Sequence, residues 1–144
     1  MAPALSARLQ AIVDALPLRP GMRVLEIGCG PGAMTRALAV RIGDGHVLGI
    51  DRSGKAIDQA LAGSTDTLAT GTLAFRQCAA EHFVLAPGEQ PYDLAVAIRV
   101  GAFDGRYPEV GMLARAAIKA ALVPGGRLYV DGGDTLREEE FRNA

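Results

Sequence analysis

The chain of 144 residues carries a formal net charge of −1, and 49% of its residues are hydrophobic. This length and hydrophobic content predict one domain over residues 1–144 with a buried sheet, and the near-neutral charge argues against a nucleic-acid partner. The sequence has no apolar run of about 18 residues and no basic leader before an apolar segment, so we expect neither a membrane partner nor a signal peptide.

The first predicted elements are an amphipathic helix and a buried strand that ends in glycines. Apolar residues recur at helical spacing between 4 and 16, namely Leu5, Leu9, Ile12, Val13 and Leu16. The stretch 24–32, which reads Val-Leu-Glu-Ile-Gly-Cys-Gly-Pro-Gly, predicts a strand followed at once by a tight turn. A second helix then runs to about Ile42, with Pro31 suited to its first turn. Its apolar side carries Met34, Leu38, Val40 and Ile42.

Strand, glycine turn and helix in this order bring a protein backbone close to a nucleotide-like ligand. Gly28 and Gly30 lack a Cβ atom, so the turn can be tight and a ligand can contact the main chain. Glu26 puts a carboxylate at the carboxyl end of the strand, where burial costs free energy unless a polar or cationic group meets it. A plain strand-to-helix connection is the alternative, and Glu26 favours the binding loop.

Residues 26–32, Glu-Ile-Gly-Cys-Gly-Pro-Gly, resemble the first motif of class I S-adenosylmethionine-dependent methyltransferases. In that family, the acidic residue and the glycines surround the methionine part of the cofactor. The resemblance implies cofactor-binding roles for Glu26, Gly28, Cys29, Gly30 and Gly32. The family also ends its second strand with an acidic residue that binds the ribose hydroxyls. Asp51 stands at that place, and the resemblance implies cofactor binding by Asp51 and its neighbour Arg52.

Strands and helices alternate in the next part of the chain. A short apolar strand at 46–50 precedes a helix that Ser53 caps and that runs to about Leu61. Residues 63–71 are rich in Ser, Thr, Asp and Gly and predict a loop with a frayed helical end, and a third strand follows at 72–76. Strands joined through helices with short loops imply right-handed parallel crossovers.

The segment after the third strand stands where the methyltransferase family often carries an acidic and a small residue that contact the adenine. Ala80 fits the small residue, whereas Ala79 stands where the acid is commonly found. Glu81 is the candidate replacement for that acid, with a solvated surface role as the alternative. The lone His82 is not expected to act as a catalytic base, and the sequence identifies no catalytic residue.

Residues 92–98 form a near-continuous apolar run, which is typical of a central parallel strand. Asp93, just inside its start, resembles a structural position of the family that is far from the cofactor. Ligands bind beyond the carboxyl ends of such strands, so Arg99 and Asp104 are candidate site residues, with Arg99 assigned to the cofactor. A salt bridge at the rim is the alternative for both. The Asn/Asp-Pro-Pro-Tyr/Phe motif of relatives that methylate DNA bases or glutamine is missing here, so that mechanism is not supported.

The last predicted elements are a helix over 107–122, ended by Pro-Gly-Gly at 124–126, and a fifth strand over 127–131. The helix places Val110, Leu113, Ala114, Ala117, Ile118 and Ala121 on its apolar face. The spacing Leu-x-Pro-Gly-Gly-x-Leu at 122–128 also resembles the methyltransferases. The polar segment from 134 to 144 predicts a short helix or a loose tail.

These elements predict an α/β, Rossmann-like three-layer sandwich whose parallel five-stranded sheet has the order 3-2-1-4-5, with helices on both faces. The methyltransferase family adds a sixth strand and an antiparallel seventh, and the thirteen residues after Asp131 are too few for both. We therefore expect the fifth strand to be a free edge through which a homodimer forms. A tail that folds back over this edge is the alternative.

The resemblance implies a methyltransferase that uses S-adenosylmethionine, releases S-adenosylhomocysteine and acts on a small-molecule acceptor. Cys29 and Cys78 lack metal-ligand spacing, so we expect no metal, and their number suggests a reducing, cytoplasmic location. A non-catalytic module that binds the same cofactor is one alternative. An NAD-binding domain is another, since Gly28-x-Gly30-x-x-Ala33 also satisfies the looser dinucleotide pattern. Glu26 opposes it, because dinucleotide motifs usually have an apolar residue there.

Overall fold

The computed structural model describes residues 5–132 and 135–139. In this part of the chain, one sheet of six strands forms the centre of the fold. The strands are β1 (Arg23–Ile27), β2 (His46–Asp51), β3 (Leu73–Gln77), β4 (Tyr92–Ala97), β5 (Leu122–Gly132) and β6 (Thr135–Glu139). Their order is β3-β2-β1-β4-β5-β6, with the first five parallel and β6 antiparallel to β5. The predicted Rossmann-like order 3-2-1-4-5 is confirmed, and β6 extends the sheet by one strand.

Helices cover both faces of the sheet, as the sequence predicts. They are α1 (Ala7–Ala15), α2 (Ala33–Arg41), α3 (Gly54–Ala62), α4 (Thr65–Ala69) and α5 (Pro108–Ala121). Successive residues of a strand point to opposite faces, so Val24 packs in the cluster that includes α1 and α2, whereas Leu25 packs in the cluster that includes α5. No helix among the described residues is long and apolar enough to cross a bilayer.

Side-chain caps mark the start of two helices. The Ser53 Oγ atom accepts a hydrogen bond from the Ala56 amide at 3.2 Å, so the predicted cap of α3 is confirmed. The Ser6 Oγ atom accepts one from the Leu9 amide in the same way and starts α1. Pro31, in contrast, lies before Gly32, the left-handed residue that precedes α2, so the placement of Pro31 in the first helical turn is wrong. Within the predicted loop 63–71, the five residues of α4 form one short helix.

Two residues predicted on apolar helix faces are exposed. The exposed fraction is 81% for Val40 in α2 and 59% for Leu113 in α5. Buried positions of α2 include Leu38 and Ala39, and Val40 lies about 200° around the helix from Leu38. In α5, the small residue Ala114 faces the sheet, and Leu113 lies about 100° away from it. In each helix, the face that is buried is therefore narrower than the apolar face predicted from the sequence.

The Pro-Gly-Gly segment at 124–126 lies inside β5 instead of ending a helix before it. β5 pairs with β4 at Leu122 opposite Tyr92 and again at Arg127 opposite Leu94, so the register shifts between these two pairs. Four residues of β5 therefore bulge opposite Asp93 alone, a conformation to which Gly125 contributes a φ of +81°. Beyond the bulge, Leu128 and Val130 are buried on the α5 face.

The edge of β5 is not free, so the premise of the predicted homodimer is wrong. Residues 128–132 of β5 pair with 139–135 of β6 in antiparallel register. The main-chain groups that a second copy would need are used by the same chain. The expectation of a short helix or loose tail from residue 134 is also wrong over 135–139, while 133–134 and 140–144 lie outside the described residues. The alternative of a tail that folds back over the edge is the one observed.

Deletion of residues 133–144 is expected to convert the protein to dimers or larger oligomers. The deletion exposes the β5 edge, whose buried residues Leu128 and Val130 have the alternation that suits pairing with another strand. Light scattering at micromolar concentration measures the mass, with the full chain as the control. A shortened chain with the mass of one folded copy would show that β6 does not protect this edge.

Candidate functional site

A cavity of about 600 Å³ opens at the carboxyl ends of the parallel strands. We call one wall the β1–β3 side; it consists of Ile27, Gly28, Asp51, Arg52 and 78–81. We call the rest of the lining the β4 side; it consists of 99–102, Arg106, Tyr107 and Val110. Six of the ten predicted cofactor residues line the cavity: Gly28, Asp51, Arg52, Ala80, Glu81 and Arg99. The other four, Glu26, Cys29, Gly30 and Gly32, belong to the loop beside it and do not line it.

The glycine loop is held against β2 by its own main chain. The amides of Gly28 and Cys29 both donate to the Ile50 carbonyl, at 2.8 and 3.0 Å. Gly28 has a φ of +72° and Gly30 one of +54°, a region that residues with a side chain rarely adopt. A Cβ atom on Gly28 would lie 2.7 Å from Val100 Cγ2, whereas one on Gly30 would meet no atom within 4 Å. A side chain would therefore clash at position 28, whereas the space around Gly30 is empty.

Gly32 and Cys29 have packing roles in this loop. A Cβ atom on Gly32 would lie 2.9 Å from Arg36 Nη1 and 3.0 Å from Phe75 Cζ, so a side chain has no room there. The side chain of Cys29 is buried, and this burial raises the pKa of its thiol. A thiol whose pKa is raised in this way is a poor nucleophile at neutral pH.

The Asp51 carboxylate joins the glycine loop to the start of α3. Its Oδ2 atom accepts a hydrogen bond from the Gly30 amide at 2.9 Å, and its Oδ1 atom accepts one from the Ser53 amide at 2.9 Å. A carboxylate oxygen can accept two hydrogen bonds, so both atoms retain capacity toward the cavity that Asp51 lines. The two parts of the predicted motif, twenty-one residues apart, are therefore in direct contact.

Glu26 is buried beneath the loop, and Thr35 of α2 is the polar partner that its burial requires. The Thr35 hydroxyl donates to Glu26 Oε1 at 2.5 Å, and both residues are less than 5% exposed. Burial raises the pKa of Glu26 to about 8, an effect that the Thr35 hydrogen bond opposes and the nearby Asp51 charge supports. At pH 7 the Glu26 side chain is therefore mostly a neutral carboxylic acid.

The segment after β3 contributes residues 78–81 to the β1–β3 side of the cavity. The Cys78 amide donates to the Asp51 carbonyl at 2.9 Å, which fixes this segment to the end of β2. Ala80 is buried at the start of a 3₁₀ turn that spans Ala80–His82, and Glu81 is half-buried in the cavity wall. His82 is exposed and is not part of the wall.

The β4 side contains a residue with an unusual backbone conformation. Arg99 has a φ of +57°, the only positive value among the described residues other than glycine. Its amide donates to Asp131 Oδ1 at 3.0 Å, and Asp131 Oδ2 accepts from Arg8 Nη2 at 3.1 Å. Of the two predicted rim residues, Arg99 lines the cavity and Asp104 does not. Asp104 instead forms an ion pair with Arg106, at 2.7 Å between Oδ2 and Nε.

Sequence reasoning missed Arg106 and Asp131. Both are charged residues that follow or end a strand at the carboxyl edge of the sheet, where the rule that singled out Arg99 also applies. Arg106 lines the cavity itself, and Asp131 holds the Arg99 amide. Within the described part of the chain, no cluster of His, Cys, Asp or Glu residues could hold a metal ion.

Comparison with known proteins agrees with this site and fold. The methyltransferase domain family matches residues 18–142, which is most of the chain. The chain is similar to protein-L-isoaspartate O-methyltransferase 1 of Arabidopsis thaliana, with 32% identity over 129 residues that cover 84% of this chain and 50% of that protein. It is also similar to trans-aconitate 2-methyltransferase of Streptomyces avermitilis, with 38% identity over 90 residues that cover 62% of this chain and 32% of that protein.

A solved structure shares the fold. The SAM-dependent methyltransferase from Geobacter sulfurreducens in complex with S-adenosyl-L-homocysteine has a TM-score of 0.68 and 23% identity, over 89% of this chain and 48% of that one. The chain spans half or less of the length of each of these three proteins. Because the family match covers 18–142, the chain belongs to the methyltransferase domain family, and its resemblance to class I S-adenosylmethionine-dependent methyltransferases is confirmed.

Proposed function

We propose that this chain binds S-adenosylmethionine in the cavity and transfers its methyl group to a small-molecule acceptor. One observation carries the proposal: the Gly30 amide donates to Asp51 at 2.9 Å, so the glycine loop and the acidic end of β2 form one wall. A cavity of about 600 Å³ is within the range of small-ligand pockets. The two curated relatives are named for one small-molecule and one protein acceptor, and the size of the cavity favours the small molecule.

The residues of the β1–β3 side fit the chemical groups of this cofactor. The open space at Gly30, beside the cavity, leaves the main chain of the loop accessible, and Asp51 in the wall retains acceptor capacity for two ribose hydroxyls. We propose that Ala80 and Glu81 contact the adenine and that Arg52, which is exposed at the rim, contributes a charge there. Glu26, Cys29, Gly28 and Gly32 shape the loop, by the buried contacts described above.

When bound, S-adenosylmethionine supplies a methyl group that is activated by the adjacent sulfonium. The contribution of the chain is to orient the reactants and to exclude water, because a positioned pair of reactants avoids much of the entropy cost of an encounter. No group in the cavity wall is assigned as a general base. A reducing, cytoplasmic location, suggested by the two cysteines, stays a prediction.

Addition of S-adenosylhomocysteine is expected to stabilise the protein against thermal unfolding. A ligand at about 100 times its dissociation constant adds about 2.7 kcal/mol to the free energy of unfolding. Thermal melts with S-adenosylmethionine, S-adenosylhomocysteine or NAD measure the shift, with NAD as the control. A shift with NAD and none with the other two would contradict the proposal. Stabilisation without methyl transfer to any acceptor would favour a non-catalytic binding module.

A further inference from the structure

We infer that the acceptor carries an anionic group, a carboxylate or a phosphate, and that Arg99 and Arg106 bind it on the β4 side of the cavity. The inference rests on the proposed function, because it concerns the acceptor of that reaction. Asp131 is assigned as the positioning residue that holds Arg99 in place.

The carboxylates of the cavity wall lie on one side of it. On the β4 side, the charged residues that line the cavity are Arg99 and Arg106, and both are cationic. Among the described residues, the carboxylates that line the cavity, Asp51 and Glu81, both belong to the β1–β3 side, together with the cationic Arg52. A cleft lined by one sign of charge attracts ligands of the opposite sign. The β4 side, on which both charged lining residues are cationic, is therefore suited to an anion.

The backbone of Arg99 is bonded within the protein, whereas its guanidinium is available to a ligand. The left-handed φ of +57° costs free energy for a residue with a side chain, and such conformations persist where the surroundings impose them. Asp131 imposes this one by accepting from the Arg99 amide at 3.0 Å, and Arg8 holds Asp131 from the other side at 3.1 Å. No residue in the described ranges accepts a hydrogen bond from the Arg99 guanidinium. Within the described residues, the backbone of Arg99 is thus fixed, while no side-chain pair neutralises its charge.

Arg106 is oriented by Asp104 and by a glycine. Asp104 accepts from the Arg106 amide at 3.0 Å and from its Nε atom at 2.7 Å, which leaves the two Nη atoms of the planar fork. A Cβ atom on Gly101 would lie 3.0 Å from Arg106 Nη2, so the absence of a side chain at 101 makes room for the guanidinium. Tyr107, 57% exposed beside it, adds an aromatic wall.

The start of α5 adds to the positive potential of this side. The helix spans Pro108–Ala121; Tyr107, the residue that precedes it, and Val110 of its first turn line the cavity. The N-terminus of a helix carries a partial positive charge that favours anions. Arginine binds carboxylate and phosphate through the same paired N–H groups. The arrangement of these residues therefore suits an anionic acceptor. The experiment below distinguishes a carboxylate from a phosphate.

The test uses the full chain with isotope-labelled arginines, saturated with S-adenosylhomocysteine. Succinate, inorganic phosphate and the neutral analogue succinamide are titrated at constant ionic strength, and the Nε–H signals of Arg99 and Arg106 are followed by NMR. We expect succinate or phosphate to shift both signals and succinamide to shift neither. The anion that binds more tightly identifies the class of the acceptor. Arg41, an exposed residue of α2, is the internal control. Equal shifts at Arg41, or none at Arg99 and Arg106, overturn the inference.

Variants separate this site from the cofactor site. R99Q and R106Q are each expected to weaken binding of the effective anion by about tenfold or more, since bonds to charged groups are strong, and R41Q is expected to leave it unchanged. D131A removes the acceptor of the Arg99 amide and is expected to reduce the response at Arg99 while the response at Arg106 remains, which a general loss of structure would not produce. Calorimetry with S-adenosylhomocysteine tells the failures apart. Lack of cofactor binding by the unmodified chain refutes the proposed function, whereas loss of cofactor binding only in R99Q and R106Q refutes the acceptor site.

Discussion

Replacement of Asp51 by alanine is expected to weaken the binding of S-adenosylhomocysteine by about two orders of magnitude or more. Each charge-assisted hydrogen bond to a ribose hydroxyl contributes about 1.5–3 kcal/mol, and about 1.4 kcal/mol corresponds to a factor of ten in affinity. The same change removes the acceptor of the Gly30 and Ser53 amides, so the free energy of unfolding is also expected to fall by about 1–3 kcal/mol. Isothermal calorimetry measures the affinity, and urea unfolding measures the stability.

The matched control for this change is Asp58→Ala, because Asp58 is an exposed acid of the neighbouring helix α3. It is expected to leave both the affinity and the stability near the values of the unmodified chain. If Asp51→Ala lowers the stability but leaves the affinity unchanged, Asp51 only links the loop to α3 and has no part in holding the cofactor. That result would contradict the role that the proposed function gives to Asp51.

Glu26 is expected to make the protein lose stability as the pH rises from about 4.5 to about 8. In this window, the folded chain keeps a proton on Glu26 that the unfolded chain has released, so each rise in pH favours unfolding. The free energy of unfolding is expected to fall by about 1.4 kcal/mol per pH unit from this group alone. Because the window covers several pH units, we expect a large pH effect from this one residue.

The variant Glu26→Gln keeps the shape of the side chain and removes the titration. Its stability is expected to be flat across that window and to exceed the stability of the unmodified chain near the upper limit. Thr35→Val is the companion variant, because loss of the hydroxyl that lowers the Glu26 pKa should move the upper limit to higher pH. Urea unfolding in buffers that span the window checks both. The same pH slope in Glu26→Gln and in the unmodified chain would assign the effect to another group.

The part of the site that the sequence could predict depends on local signals. Gly28 and Gly30 have backbone conformations that only glycine adopts readily, so their spacing is visible in the sequence. Asp51 ends an apolar run, and parallel connection brings the end of that run beside the loop. For the same reason, the order 3-2-1-4-5 could be predicted from alternating strands and helices.

The remaining features depend on contacts between distant parts of the chain. The φ of Arg99 follows from Asp131, thirty-two residues later, and nothing near Arg99 indicates it. The exposure of Leu113 depends on how much of α5 the sheet can cover, which periodicity alone does not give. The strand at 135–139 forms because the β5 edge is available to it, and a polar segment of this kind has no strong strand signal of its own.

The central position of β1 has a consequence for synthesis on the ribosome. β1 can pair with β2 as soon as α2 has formed, but its other neighbour, β4, begins only at Tyr92. In the finished fold, the Arg23 amide donates to the Asp93 carboxylate. Asp93 is synthesised seventy residues after Arg23. Throughout this interval, one edge of β1 has unpaired main-chain groups beside the apolar residues Val24 and Leu25. We therefore expect β1 to be a segment that a chaperone specific for extended apolar stretches can bind until β4 emerges.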